Sequence, residues 1–379
     1  MSSRRMMSAR EVCEALSIDR ATLYSYVSRG LIQSAAADSS RRERQYSAED
    51  VAKLKARKHS RRDPEAAARE TLRWGMPVME SALTRITPDG HYYRGESALA
   101  LAECESFENV AHRLWGDGGK GLEPQREAQI NSTLDPIGRM IVALVNAREP
   151  EPMSLVRECA AALIGRVGDG SIAAAVARAW GIPDETRLIE AALIMCADHE
   201  LNASAFAVRV AASTDADLSH ALIAGLAALS GTKHGGAAEE SLRLFETVRS
   251  PERAGDVVTD MLNKGERIPG FGHRLYPDGD PRARLLMRLI REAYPNAPIV
   301  ALADAIIETV NAITGLYPNV DYALALLERA ANLPSGSAVG LFALGRSAGW
   351  IAHALEQYAA KTLIRPRARY TGSAPEAKS

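Results

Sequence analysis

Three histidines in separate short motifs, and an aspartate downstream of them, carry the chemistry this chain can do. The motifs read Asp198-His199-Glu200-Leu201-Asn202-Ala203-Ser204, Gly231-Thr232-Lys233-His234-Gly235-Gly236, Pro269-Gly270-Phe271-Gly272-His273-Arg274 and Pro318-Asn319-Val320-Asp321. Glycines beside His234 and His273 allow tight turns and close approach of backbone to a ligand. Two such imidazoles with a later carboxylate form an acid–base set suited to taking a proton from a carbon next to a carbonyl. A metal site is not expected. The histidines sit in separate motifs, with no His-x-x-x-His or His-Glu-x-x-His spacing and no cysteine ligands nearby. Gly270-Phe271-Gly272 lacks the third glycine and the preceding strand of a dinucleotide loop.

Helices must position these residues. Apolar side chains recur at helical spacing over 97–114, 136–148, 154–166, 170–180, 186–197, 203–213, 217–229, 239–248, 253–263, 282–293, 300–314, 321–331 and 338–360. Strand-like alternation is scarce. Leu83 to Ile86 and His91 to Gly95 flank Pro88-Asp89-Gly90, which predicts a small hairpin around an Asp-Gly turn. The 379 residues suffice for two or three domains. Charge is divided unevenly. Residues 1–62 carry 14 Lys+Arg against 7 Asp+Glu, while the whole chain has a net charge of −1. A basic head on an acidic body suggests separate partners for the two parts. Cys13, Cys104, Cys159 and Cys196 are widely spaced, which fits a reducing cytoplasm without disulfides. The first residues have no apolar stretch after their charges, so no signal peptide is expected, and no apolar run reaches about 18 residues, so neither is a membrane span.

The head predicts short capped helices. Ser8 and Glu11 make a capping box ahead of Val12 and Leu16. Asp19 can cap a second helix from Arg20 to Arg29, with Gly30 as its C′ residue. Ser47 can cap a third helix after the polar stretch Ser34 to Arg44. Two short helices around a tight turn read as helix-turn-helix. The run Ala21 to Ile32, followed by Arg44-Gln45-Tyr46-Ser47 and Asp50-Val51, resembles the winged helix-turn-helix of MerR-like and excisionase-like proteins. That resemblance implies DNA contacts from Arg20, Thr22, Ser25, Tyr26 and Arg29 in the major groove, and from Arg41, Arg42 and Arg44 in or near the wing.

The body, from about 79 to 372, resembles the citrate synthase family in the order and spacing of its motifs. These are the four quoted above with Tyr93-Arg94-Gly95, Ser106-Phe107-Glu108-Asn109-Val110-Ala111, Arg346 to His353 and Ile364 to Gly372. The resemblance implies an all-α fold, with a large domain of residues 79–235 and 334–379 and a small domain of 236–333 that closes over substrate. Residues 63–78 would link it to the winged head, 1–62. A homodimer is implied too. The implied reaction condenses acetyl-CoA with oxaloacetate to give citrate and CoA, with coenzyme A thioester as substrate and no cofactor. Asp321 would be the base. His234 would stabilise the thioester enol, and His273 would polarise the ketone. His199, Arg282, Arg346 and Arg365 would hold the 2-oxo acid, Arg365 from the neighbouring chain. Pro269, Gly270, Phe271, Gly272, Arg274, Arg367 and Arg369 would face coenzyme A. His59, His91, His112, His220 and His353 receive no role. The chain departs from the family pattern at Ala238, where Asn is usual, and after Asp321, where Tyr322-Ala323-Leu324-Ala325 lacks the common serine-glycine. These departures bear on substrate identity. A 2-methylcitrate synthase using propionyl-CoA, a DNA-binding regulator with a metabolite-sensing body, and a head used only for assembly are the rival expectations.

Overall fold

The structure is a computed structural model that describes residues 6–16, 18–28, 31–37, 40–48, 50–51, 79–116, 126–128, 130, 133–148, 151–368 and 370–372. It divides into two compact units, residues 1–80 and 81–379. The expected linker, 63–78, lies outside the described residues.

In the first unit, β1 (Met6–Ser8) leads into α1 (Ala9–Leu16), and α2 (Arg20–Ser28) precedes β2 (Ser34–Ala37) and β3 (Ser40–Ser47). The capping box forms: Ser8 N–H donates to Glu11 Oε2 at 2.7 Å, and Glu11 N–H donates to Ser8 Oγ at 3.3 Å. Asp19 accepts the Thr22 N–H at 2.7 Å and so starts α2. The polar stretch is an antiparallel ribbon, and β1 joins it to make a three-stranded sheet in the order β1-β3-β2. Polar composition gave no strand period there, because pairing between β2 and β3 rather than burial makes the strands. Val12, Leu16, Leu23, Ile32, Tyr46 and Val51 form a small core.

The second unit opens with the expected hairpin, β4 (Thr84–Thr87) and β5 (Gly90–Tyr93), extended by a short β6 (Glu96–Ser97). The helices α3 (Ala98–Cys104) and α4 (Phe107–Trp115) follow. After β7 (Arg126–Glu127) come α5 (Pro136–Asn146), α6 (Pro152–Ile164), β8 (Arg166–Val167) and α7 (Ile172–Ala179). The chain continues through α8 (Thr186–Cys196), α9 (Ala203–Ala212), α10 (Leu218–Leu229), α11 (Ala237–Val248) and α12 (Ala254–Asn263). The last four helices are α13 (Pro281–Ala293), α14 (Pro298–Thr314), α15 (Val320–Ala330) and α16 (Ser337–Ala360). The helical spacing read from the sequence therefore marks real helices, with one exception: the 97–114 stretch breaks at Glu105, where Ser106 caps a new helix by accepting the Asn109 N–H. The pair β7-β8 has no counterpart in the sequence reading.

The 24-residue α16 packs against α4, α5, α6, α8, α9, α10 and α15, and most of its length is buried. It can lie this close to α8 because Gly349 has no side chain. A Cβ there would stand 2.3 Å from the Ala197 carbonyl oxygen, while the Gly349 N–H donates to that oxygen at 3.0 Å. This contact sets where Arg346 and Trp350 project.

Candidate active site

Three of the residues singled out by type and spacing, His199, His234 and Asp321, lie at helix ends or in the turns between helices, and His273 lies on a loop. Directly after α8, Asp198 and His199 form a turn that the hairpin clamps. The Tyr93 hydroxyl donates to the Ile194 carbonyl at 2.7 Å and accepts the Asp198 N–H at 3.2 Å, and the Thr84 hydroxyl donates to Asp198 Oδ2. His199 is buried, with Nε2 3.0 Å from the Tyr276 hydroxyl. Its ring meets that of His273 edge to face, with centroids 5.3 Å apart. Burial, aided by Arg282, holds His199 well below the ordinary histidine range, so it is neutral at neutral pH.

His273 and Asp321 arrive on two loops that are tied together. Phe271 pairs with Pro318 as an antiparallel bridge, Gly272 N–H donates to the Tyr317 carbonyl, and Asn319 N–H donates to the Gly270 carbonyl, both at 2.8 Å. Gly270 is required at the crossing. Its φ is +77°, and a Cβ would stand 2.6 Å from Ser241 Oγ and 2.9 Å from Tyr322 Cβ. The Leu275 N–H donates to His273 Nδ1 at 3.2 Å. Burial, reinforced by Arg282, lowers the pKa of His273 to about 4. A neutral ring that accepts at Nδ1 carries its proton on Nε2 and can donate there. Asn319 caps α15 by accepting the Asp321 and Tyr322 N–H groups, which puts Asp321 in the first turn. A helix N-terminus favours a charged carboxylate, and Arg282 and Arg346 add to that. Burial outweighs them and raises Asp321 to about 6.

His234 sits in the turn between α10 and α11. Its Nε2 is 2.9 Å from Ser204 Oγ, which also accepts the Trp350 indole N–H at 3.2 Å, while the Ser204 hydroxyl donates to Asn202 Oδ1 at 2.7 Å. Burial and the nearby Arg346 lower His234 to about 4. Ala238, the departure from the family pattern, is buried in the first turn of α11.

Two buried arginines supply positive charge. Arg282, 3% exposed, grips Asp280 through Nε to Oδ1 at 3.0 Å and one terminal nitrogen to Oδ2 at 2.8 Å. Asp280 Oδ2 also accepts the Val320 N–H at 3.1 Å, which couples this pair to the start of α15. Arg346, 1% exposed, donates from Nε to the Cys196 carbonyl at 2.7 Å, and its guanidinium lies 4.6 Å from the centre of the Phe342 ring. Phe342 in turn meets the His234 ring edge to face at 6.4 Å. His199, Arg282 and Arg346 are buried, and His234, His273 and Asp321 half-buried, in one group.

Arg365 and Arg367 are exposed on the segment after α16, and Arg369 lies outside the described residues. Pro269 borders a surface cavity of about 620 Å³ whose wall includes Arg243, Arg253 and Lys264. Arg274 is exposed. In the head, Arg20 and Ser25 are exposed on α2, Thr22 is half-buried, and Arg44 on β3 is exposed, with its guanidinium 3.5 Å from Ser34 Oγ. Arg41 and Arg42 lie on β3, and Arg29 is outside the described residues. Tyr26 is half-buried and packs on the head's core. Tyr24, 56% exposed, is the aromatic that α2 presents outward. Helical spacing could have shown this, since Leu23 and Tyr26 share a face and Tyr24 does not. In the body, Tyr276, Ser204, Asp280 and Phe342 were missed as members of the site. Ser204 stood inside a quoted motif and Asp280 two residues before Arg282, whereas nothing local marked Tyr276 or Phe342.

Two guanidiniums, three neutral imidazoles and a carboxylate of raised pKa, set in a helical body, make an acid–base set with fixed positive charge. The family model for the citrate synthase C-terminal domain matches residues 155–367, more than half of the chain, and the chain belongs to the citrate synthase family. The model of the MerR HTH family regulatory proteins matches residues 7–62. A citrate synthase of Haloferax volcanii is 42% identical over 185 residues, covering 48% of this chain and 49% of that protein. A 2-methylcitrate synthase of Corynebacterium glutamicum is 35% identical over 207 residues, covering 54% of this chain and 52% of that protein. The chain thus spans about half the length of the curated relatives it matches. The citrate synthase of Thermoplasma acidophilum, solved as a ternary complex with carboxymethyl coenzyme A and oxaloacetate, superposes with a TM-score of 0.66 at 26% identity, covering 80% of this chain and 96% of that one.

Proposed function

We propose that the chain condenses acetyl-CoA with oxaloacetate to give citrate and CoA. The observation that carries this reading is the neutral, Nε2-protonated His273 beside Arg282, on a loop tied to the one that carries Asp321. The Asp321 carboxylate removes a methyl proton from the thioester. Its raised pKa makes it a stronger base than an ordinary carboxylate. The developing enolate oxygen needs a donor. His234, whose Nε2 is held 2.9 Å from Ser204 Oγ, is the residue that stabilises it. His273 Nε2–H bonds the ketone oxygen, so the carbon attacked becomes more electrophilic. The new carbon–carbon bond turns the ketone oxygen into an alkoxide, which takes its proton through His273. Water then cleaves the citryl thioester to a carboxylate and the free thiol. Arg282, Arg346 and His199 bind the carboxylates and carbonyl of the 2-oxo acid, and Arg365 reaches the site of the neighbouring chain in a homodimer. Residues 269–272, with Arg274, Arg367 and Arg369, face coenzyme A. The reaction calls for no cofactor.

In this reading residues 236–333 form the small domain that closes on the large one, 79–235 and 334–379, and the protein works in the cytoplasm. No helix among the described residues is long and apolar enough to cross a membrane. Release of free thiol from acetyl-CoA in the presence of oxaloacetate tests the proposal. The absence of thiol release with acetyl-, propionyl- or related acyl-CoA on any 2-oxo acid would refute it. The match to a 2-methylcitrate synthase supports propionyl-CoA as the second reading. One methylene is worth about 1–3 kcal/mol of discrimination, so a kcat/KM series across acyl chains decides between them. For the head, the MerR-family match and the exposed Arg20 and Arg44 support a winged helix-turn-helix that contacts DNA. Salt-dependent binding to a defined promoter, lost in Arg20→Ala with Arg29→Ala, is the expected outcome.

A further inference from the structure

His91 has no part in the chemistry above, yet it lies at the edge of that group. It is on β5 and 1% exposed. The proton inventory around the Tyr93 hydroxyl fixes its state. That hydroxyl has one proton, which goes to the Ile194 carbonyl at 2.7 Å, and it accepts the Asp198 N–H at 3.2 Å. His91 Nε2 is 3.0 Å away and must be the donor. The neutral ring then carries its proton on Nε2. Nδ1 is a bare acceptor, buried and without a hydrogen-bond partner. Burial, with Arg282 adding to it, lowers His91 to about 3 and keeps it neutral. Its ring meets the His199 ring edge to face, with centroids 5.9 Å apart, and His199 meets His273 and Tyr276 in the same manner at 5.3 and 5.6 Å.

A leucine would fill this space without burying an unpaired acceptor, which is costly to stability. An imidazole is a poor choice for packing alone. Local choices that oppose stability concentrate at functional sites. We propose that His91 is a positioning residue for the 2-oxo acid site. Its Nε2–H holds the Tyr93 hydroxyl that clamps the Asp198–His199 turn, and its ring supports the face of His199. The inference rests on the reading of this site as one that binds a 2-oxo acid.

The test uses the full chain and its H91L, H91Q, Y93F and H91L/Y93F variants. The readouts are kcat, KM and Kd for oxaloacetate, and Tm. H91L should raise KM and Kd for oxaloacetate about tenfold, the loss of roughly one hydrogen bond, with kcat within about twofold. Its Tm should be unchanged or higher, because the Tyr93 hydroxyl keeps two other partners. H91Q places an amide N–H where Nε2 stood and should restore most of the affinity. Y93F, which loses the whole clamp, should weaken oxaloacetate at least as much as H91L, and the double variant should be no worse than Y93F, as expected if His91 acts through the Tyr93 hydroxyl. Unchanged KM in H91L overturns the inference. So does a fall in Tm with KM and kcat intact, or a double variant whose effects multiply. If H91L does not fold, H91Q decides, and a tenfold weaker Kd in folded H91Q overturns the inference. An unaltered chain that neither binds oxaloacetate nor releases thiol refutes the reading of the site itself, and this inference with it. An active unaltered chain with indifferent variants refutes the inference alone.

Discussion

Replacing Asp321 with asparagine should make the protein more stable and almost inactive. In the folded chain the Asp321 carboxyl titrates near 6 rather than 3.8, chiefly because it is buried. Keeping such a group ionised above pH 6 costs the fold roughly 3 kcal/mol, at about 1.4 kcal/mol per unit of pKa. Asparagine removes the charge but brings an amide with its own hydrogen-bonding needs, so the net gain should be about 1–3 kcal/mol. For a chain of this size that is an increase in Tm of about 1–4 °C. The pH dependence gives the sign. Between pH about 4 and 6 the folded state holds a proton at Asp321 that the unfolded state has lost, so the wild-type stability from this group falls as pH rises through that window. The Tm difference between D321N and wild type should therefore open between pH 4 and 6 and stay constant above it. Thermal unfolding at half-unit pH steps measures this, with kcat and oxaloacetate affinity measured alongside. Turnover should fall roughly 10²–10⁴-fold, while oxaloacetate binds no more weakly than before. A D321N protein less stable than wild type at pH 8, or one that retains turnover, would show that this carboxylate is neither strained by burial nor the base.

The same group predicts that kcat/KM declines below pH about 6 with a slope of one, because protonated Asp321 cannot act as base; a flat profile down to pH 5 would contradict the assignment. Ser204→Ala should lower kcat about tenfold and leave oxaloacetate affinity unchanged, since the hydroxyl bonds His234 and the Trp350 indole; equal losses in kcat and affinity would count against a role through His234 alone. Gly270→Ala should reduce kcat/KM for both substrates at least tenfold, because the added Cβ collides with Ser241 and Tyr322 in the crossing that aligns the His273 and Asp321 loops; activity equal to wild type would mean that this crossing does not set the geometry.

The helices were legible from the residues because burying one face imposes a period of 3.6, and that period survives in the sequence from Pro136 to Ala360. Caps were legible for the same local reason. Ser8 with Glu11, and Asp19, act within three residues of themselves. The sequence by itself also determined which residues could hold and move protons, since residue type and motif spacing are local properties. The tertiary structure alone decided which of them are neutral and which way they donate. His273 is an Nε2 donor because the Leu275 N–H occupies its other nitrogen, and Asp321 is a strong base because α15 is buried around it. His91 joined the site only when β5 packed against the turn after α8, more than a hundred residues along the chain. Protonation and tautomer depend on burial and on partners brought from distant segments, and a linear sequence contains no measure of either.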